Sequence, residues 1–179
     1  MARQADPAVR VALLDKAIDY VLSHGVIDLS LRPLAKSLET SARMLIYHFG
    51  SREGLMSAIL EGLRQREDAR IMSWMEEAPR SMPEFLDWYW RLMSSPRARP
   101  AIKLIFELYA LALRNPKSYP GVLTAPVAYW RKLAGITGCS DTEATLLLAV
   151  TRGLLLDLST TGDRKRVDAA MALMAKRLG

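Results

Sequence analysis

The chain has 179 residues, half of them hydrophobic and a quarter charged, with 25 Lys and Arg against 19 Asp and Glu. That length carries one large domain or two small ones with a real core, and the balance is that of an ordinary soluble globular protein. A single cysteine, Cys139, excludes an intrachain disulfide framework and points to a reducing compartment.

The first residues, MARQADPAVR, lack the apolar run of a signal peptide. The longest apolar stretch, ATLLLAVTRGLLLDL, is broken by Arg152 and falls short of the roughly 20 residues that span a bilayer. The expectation is a cytoplasmic protein with no membrane partner. The net charge of +6 is uneven: +1 over residues 1–53, −2 over 54–95 and +7 over 96–179. Bulk charge therefore does not argue for nucleic acid, and any such argument rests on particular positions. The C-terminal excess reads first as solubility and second as an attraction for acidic ligands.

The pattern is helical nearly throughout. Asp6 is placed to cap a first helix with Pro7 at its first position, where a missing N–H costs nothing. Val11, Leu14, Ala17, Ile18 and Val21 repeat at helical spacing, and Gly25 ends the run. Ser30 caps a short helix, LRPLAKSL, with Leu31, Leu34, Ala35 and Leu38 on one side. Glu39 and Thr40 make a tight turn. Ser41 caps a third helix that runs to about His48, Gly50 breaks it, and Ser51 caps a long helix closed by Pro79. Ser81 and Glu84 have the spacing of a capping box and open a helix that reaches Pro96. PAIKLIFELYALALRN stops at Asn115-Pro116, and YPGVLTAPVAYWRKLAG follows with Pro126 interrupting it. The last two helices, SDTEATLLLAVTRGLLLDLS and DRKRVDAAMALMAKRL, are joined at Thr160-Thr161-Gly162, with Asp141 or Ser140 and Asp163 as caps. The prediction is an all-α protein of about nine helices, with a three-helix helix-turn-helix head on a larger helical domain.

The two short helices are the informative part. A long helix followed by two short ones across a tight turn is helix-turn-helix spacing. In such a motif the second short helix enters the DNA major groove. Along ARMLIYHF, the residues Ala42, Leu45, Ile46 and Phe49 fall on one face and Arg43, Met44, Tyr47 and His48 on the other. The second face carries no Glu or Lys, which is odd for a merely solvated surface. Arg43 has the fork that matches guanine O6 and N7, and Tyr47 and His48 can donate to phosphates or bases. Ser30 and Ser51 mark helix starts whose free amides suit phosphate oxygens, with Arg52 beside the second. Ser41, Ala42 and Met44 complete the candidate DNA-binding set.

The stretch LSLRPLAKSLETSARMLIYHFGSREGL resembles the DNA-binding signature of the TetR family of bacterial transcriptional regulators. The match lies in Ser30 opening the second helix, Ala35 within it, a Tyr-containing run closed by His48-Phe49, then Ser51-Arg52 and Leu55. It covers roughly residues 10–60. Two departures from the pattern matter most: Glu39 stands where the family has a turn glycine, and Ile46 where it has the tyrosine of the recognition helix. Tyr47 is one place later and is placed to take over that contact. A smaller departure is Arg52, where lysine is more usual and both bind phosphate.

The resemblance implies a division into a DNA-binding domain over residues 1–53 and a ligand-binding and dimerisation domain over 54–179. It implies a small-molecule pocket in the second domain, for which Met72, Met75, Trp88, Met93, Phe106, Tyr109 and Trp130 are the candidate lining. It also implies that the last two helices pair with a second copy, with Leu147, Val150, Gly153, Leu154, Leu158, Met171 and Met174 as candidate interface residues. Trp88, Tyr89 and Trp90 occupy successive positions and cannot all face one core. Arg152 and Asp157 need partners or a rim position.

The expected function is a ligand-responsive repressor: a homodimer on a palindromic double-stranded DNA operator, released by a small apolar or aromatic effector. The alternative is a helical protein-interaction module without DNA binding. With two His, one Cys and no nucleophile-base pair, metal-ligand spacing or phosphate-cradling loop, no enzyme activity, metal or cofactor is expected.

Overall fold

The computed structural model describes residues 6–119, 121–122 and 124–178, the side chain of Leu178 excepted. Nine α-helices form among these residues, with no strand: α1 Pro7–His24, α2 Leu31–Ser37, α3 Ala42–Phe49, α4 Arg52–Glu77, α5 Met82–Met93, α6 Arg99–Arg114, α7 Ala125–Ala134, α8 Asp141–Thr161 and α9 Arg164–Leu178. Short 3₁₀ turns follow α6 and α7. The chain divides into two compact units, one ending at Arg70 and the other beginning at Ile71. The first unit thus takes in much of α4, which the expected boundary at residue 53 leaves with the larger domain.

Most helix starts are set by local chemistry. Asp6 accepts from the Ala8 amide at 2.9 Å, and Pro7 is the first helical residue. Ser41 and Ser51 accept from the Met44 and Gly54 amides at 3.1 and 2.9 Å. Ser30 stands at the N-cap of α2 without a side-chain cap bond, contrary to expectation. The capping box is displaced as well. Ser81 Oγ spends itself on the Glu84 carboxylate at 2.8 Å, whereas Ser140 and Glu143 form the full reciprocal pair at the start of α8. Pro126 falls in the first turn of α7 and begins that helix instead of interrupting it.

In the first unit, Ala17, Ile18 and Val21 of α1 pack into a core with Leu34, Ala35, Leu38, Leu45, Leu55 and Ile59, all almost fully buried. Two glycines allow the backbones to come this close. A Cβ on Gly62 would lie 2.4 Å from Ile18 Cδ1, and one on Gly54 would lie 2.2 Å from the Phe49 carbonyl oxygen. Arg66 on α4 reaches Asp15 and Asp19 on α1 at 3.1 and 2.6 Å.

The second unit is built around rings. Phe85 is fully buried, stacks on Tyr89 and lies 5.9 Å from Trp130. The three successive aromatics resolve into three directions: Trp88 meets Trp74 edge-on, Tyr89 meets Trp130 at 4.6 Å, and Trp90 Nε1 donates to Asp168 on α9 at 2.7 Å.

The apolar run expected to be too short for a membrane lies in α8, which extends beyond it at both ends. At 21 residues, α8 is long and apolar enough to cross a bilayer by length and composition. Its Ala144, Leu147, Leu148, Thr151 and Leu155 are buried in the second unit, on one arc of the helix.

Candidate nucleic-acid interface

The turn between α2 and α3 decides how α3 is presented. After Leu38 at the C-cap, the Thr40 amide bonds to the Ala35 carbonyl at 2.9 Å and the Glu39 amide to the Lys36 carbonyl at 3.2 Å. This is the Schellman pattern, which requires a left-handed residue at the position of Glu39. Glu39 adopts it, with φ +54°, the one positive φ outside glycine among the described residues. The turn therefore forms without its usual glycine, at a cost of about 1 kcal/mol.

The helix so placed has eight residues, and such a helix is marginal in isolation. It is held by Leu45, His48 and Phe49, which are buried at the i, i+3, i+4 spacing. Arg43, Met44 and Tyr47 are exposed, Met44 at 40 % and Tyr47 at 46 %. Ala42 and Ile46 are half-buried at the edges of the buried arc.

His48 is the correction. It was expected to face outward and is 8 % exposed, with its Nδ1 buried and without a hydrogen-bond partner. Its ring meets Tyr47 edge-on at 5.2 Å. It belongs to the support beneath the outward face. The outward face is thus Arg43, Met44 and Tyr47, flanked by Ser41 at the start of the helix.

Ser30 is exposed at the start of α2. Arg52 is exposed at the start of α4, and its Nη2 donates to the Leu29 carbonyl at 3.0 Å. The loop before α2 and the start of α4 are tied together by that bond, which brings Ser30, Arg52 and Ser51 to one end of the motif. A guanidinium has five N–H donors, so one bond to a carbonyl leaves it able to meet a phosphate.

One residue in this unit was missed by sequence reasoning. Arg10 on α1 donates from Nε to the His48 carbonyl at 3.3 Å, and its guanidinium lies 5.0 Å from the centre of the Phe49 ring. An exposed arginine outside the motif gives no signal of such a role in the sequence.

The expected pocket residues of the second unit fall into two groups. Trp88 and Trp130 flank Phe85 and Tyr89, with Trp130 buried and its Nε1 donating to the Ala144 carbonyl. Phe106 and Tyr109 meet edge-on on α6, where Arg152 donates to the Tyr109 hydroxyl at 2.7 Å. Met93 is buried in the core and Met75 half-buried against it. Met72 faces water, at 56 % exposure.

The expected interface residues divide too. Leu147 and Met171 are buried inside the unit. Val150, Leu154, Leu158 and Met174 are half-buried, and Gly153 is exposed. The open arc of α8 is Leu146, Ala149, Gly153 and Leu156, and Leu173 of α9 is exposed as well. Asp141, Thr142, Thr145, Leu146 and Ala149 line a shallow concavity on that arc. Asp157 finds its partner in Arg166, which grips both carboxylate oxygens at 2.7 Å and holds Asp157 below the usual carboxylate range.

No family model matches the sequence, and no curated protein does either. Solved structures match nearly the whole chain. The multidrug binding protein EbrR complexed with proflavin is 25% identical, with a TM-score of 0.68 over 93% of this chain and 98% of that one. A protein from Rhodococcus sp. assigned to the TetR family of transcriptional regulators is 20% identical, with a TM-score of 0.63 over 94% of this chain and 95% of that one. GusR of Salmonella enterica is 23% identical, with a TM-score of 0.63 over 97% of each chain.

Proposed function

The chain has the fold of the TetR family of transcriptional regulators, and from that premise we propose that it is a ligand-responsive transcriptional repressor that binds a palindromic operator as a homodimer. The observation that carries this reading is the exposed Arg43, Met44 and Tyr47 face on a helix seated by Leu45, His48 and Phe49. Arg43 reads guanine in the major groove, and Tyr47 supplies the phosphate or base contact that the half-buried Ile46 cannot make. Ser41, Ala42 and Met44 pack along the groove wall, while Ser30, Ser51 and Arg52 meet phosphates at one end of the motif. The left-handed Glu39 supports the same reading, because the reading helix is placed as it would be with a glycine there.

A second copy is proposed to pair through α8 and α9. The expected residues Leu147 and Met171 are occupied within the unit, so Leu146, Ala149, Gly153, Leu156 and Leu173 take their place at the contact. A twofold dimer presents two reading helices to the two halves of a palindrome.

The effector is a small apolar or aromatic molecule taken up in the ring-rich second unit, where Trp88, Phe106, Tyr109 and Met75 are only partly buried. EbrR, of the same fold, was solved with proflavin and with imidazole. Helix α4 contributes residues to both units, so an effector that prefers one setting of α4 shifts the population of DNA-competent dimers.

The test is selection of bound sequences from a random DNA pool, followed by titration of the selected duplex. The expected result is a palindromic consensus bound in a salt-sensitive manner. Arg43→Ala and Tyr47→Ala should each lose roughly 1–3 kcal/mol, about five- to a hundred-and-fiftyfold, with melting temperature and dimerisation unchanged. Recovery of no preferred sequence at micromolar protein rejects the reading in favour of a protein-interaction module.

A further inference from the structure

The two ends of α3 are held by different means. At the N-terminal end, Ser41 caps the helix from within the motif. At the C-terminal end the Gly50 amide bonds to the Ile46 carbonyl, and Gly50 then turns away with φ +81°. The carbonyls beyond Ile46 lie past the reach of the intrahelical ladder. One of them, that of His48, receives Arg10 Nε at 3.3 Å from α1. The same guanidinium lies 5.0 Å from the centre of the Phe49 ring. One side chain thus meets two successive residues, satisfying a carbonyl at the negative end of the helix dipole and covering an anchoring ring.

We infer that Arg10 is a positioning residue for DNA reading: it clamps the C-terminal end of α3 and so sets the angle at which Arg43 and Tyr47 meet the groove, without contacting DNA itself. The inference rests on the DNA-binding reading above and assigns a regulator of that same site. An eight-residue helix has little stiffness of its own, so its pitch follows from what fastens its ends. Lysine would keep the charge and a donor, but it lacks the planar face that lies over Phe49.

A clamp and a phosphate contact differ in a measurable way. Each phosphate contact adds about 0.9 to the slope of log affinity against log salt on duplex DNA. A clamp lowers affinity at every salt concentration and leaves the slope alone. The experiment uses the full chain and the duplex it selects from a random pool. Affinity is measured across a salt series for the unsubstituted protein, Arg10→Ala and Arg10→Lys, and amide hydrogen exchange is measured on the same three proteins without DNA. Arg10→Ala should bind at least about fivefold more weakly with an unchanged slope, and the amides of Phe49 and Gly50 should exchange faster. Arg10→Lys should recover only part of the affinity at the same slope. A slope reduced by about one unit, with α3 exchange unchanged, makes Arg10 a phosphate contact and overturns the inference. Unchanged affinity in Arg10→Ala overturns it as well. If the unsubstituted protein selects no DNA, the functional reading itself fails, and unchanged α3 exchange in Arg10→Ala then rejects the clamp separately.

Discussion

The two compact units are specified by different kinds of physics. In the first, a handful of main-chain conditions decide the outcome: a left-handed Glu39, caps at Ser41 and Ser51, and a Gly54 that lies against the Phe49 carbonyl. In the second, apolar volume decides: Phe85, Tyr89, Trp130, Leu147 and their neighbours fill a continuous interior. A unit that reads DNA, as proposed for the first, must present particular side chains at particular angles, so it tolerates little main-chain variation. A ring-rich interior is satisfied by shape and volume, and many side chains meet that demand.

This contrast is open to direct attack. The largest effect should come from Phe85→Ala, which removes a fully buried ring and should cost about 3–5 kcal/mol in chemical denaturation, with Phe85→Leu costing far less. Equal losses for the two would mean that the second unit is as exacting in shape as the first. Next comes Gly54→Ala, which adds one methyl group yet should cost roughly 1–3 kcal/mol, because its Cβ meets a main-chain oxygen that cannot rotate away. A smaller change of opposite sign is expected from Glu39→Gly, a gain of about 1 kcal/mol from relief of the left-handed backbone, with DNA selectivity unchanged. The smallest is at the junction of α8 and α9. Hydrogen bonds from Arg166 hold the Asp157 carboxyl low, so the pair stabilises the fold above the ordinary carboxylate pKa of about 4 and ceases to as the pH falls through the lower folded value. Asp157→Asn should therefore lower the melting temperature slightly at pH 7, and by less as the pH falls below the ordinary carboxylate range.

How much of this was legible in the sequence follows the same division. The helix count, the helix-turn-helix and the exposed Arg43 and Tyr47 follow from periodicity and turn residues. A face drawn through Ala42, Leu45, Ile46 and Phe49 leaves His48 outside, yet His48 stands three residues after Leu45 and one before Phe49, which is the buried spacing. Arg10 and the bond from Arg52 to Leu29 join residues 38 and 23 positions apart, which no local pattern reports. In α8 nearly every arc is apolar, so sequence marks the helix as doubly engaged without saying which arc meets its own core. Leu147 turned inward and Leu146 outward, one residue apart. Ser81 and Ser140 show the limit of spacing rules, since both have a glutamate three residues on and only the second completes the box.

The open arc of α8 and α9 carries a consequence for how much protein is needed to have any at all. Leu146, Leu156 and Leu173 are each about half exposed in the single chain. If a second copy covers them, association and folding are linked by mass action, and the melting temperature rises with protein concentration. A dilute chain is then less stable, and under the proposed function it cannot bridge the two halves of a palindrome, so binding to such a site falls more steeply than the first power of concentration. The few leucines left outside the core would in this way set a threshold for the whole molecule.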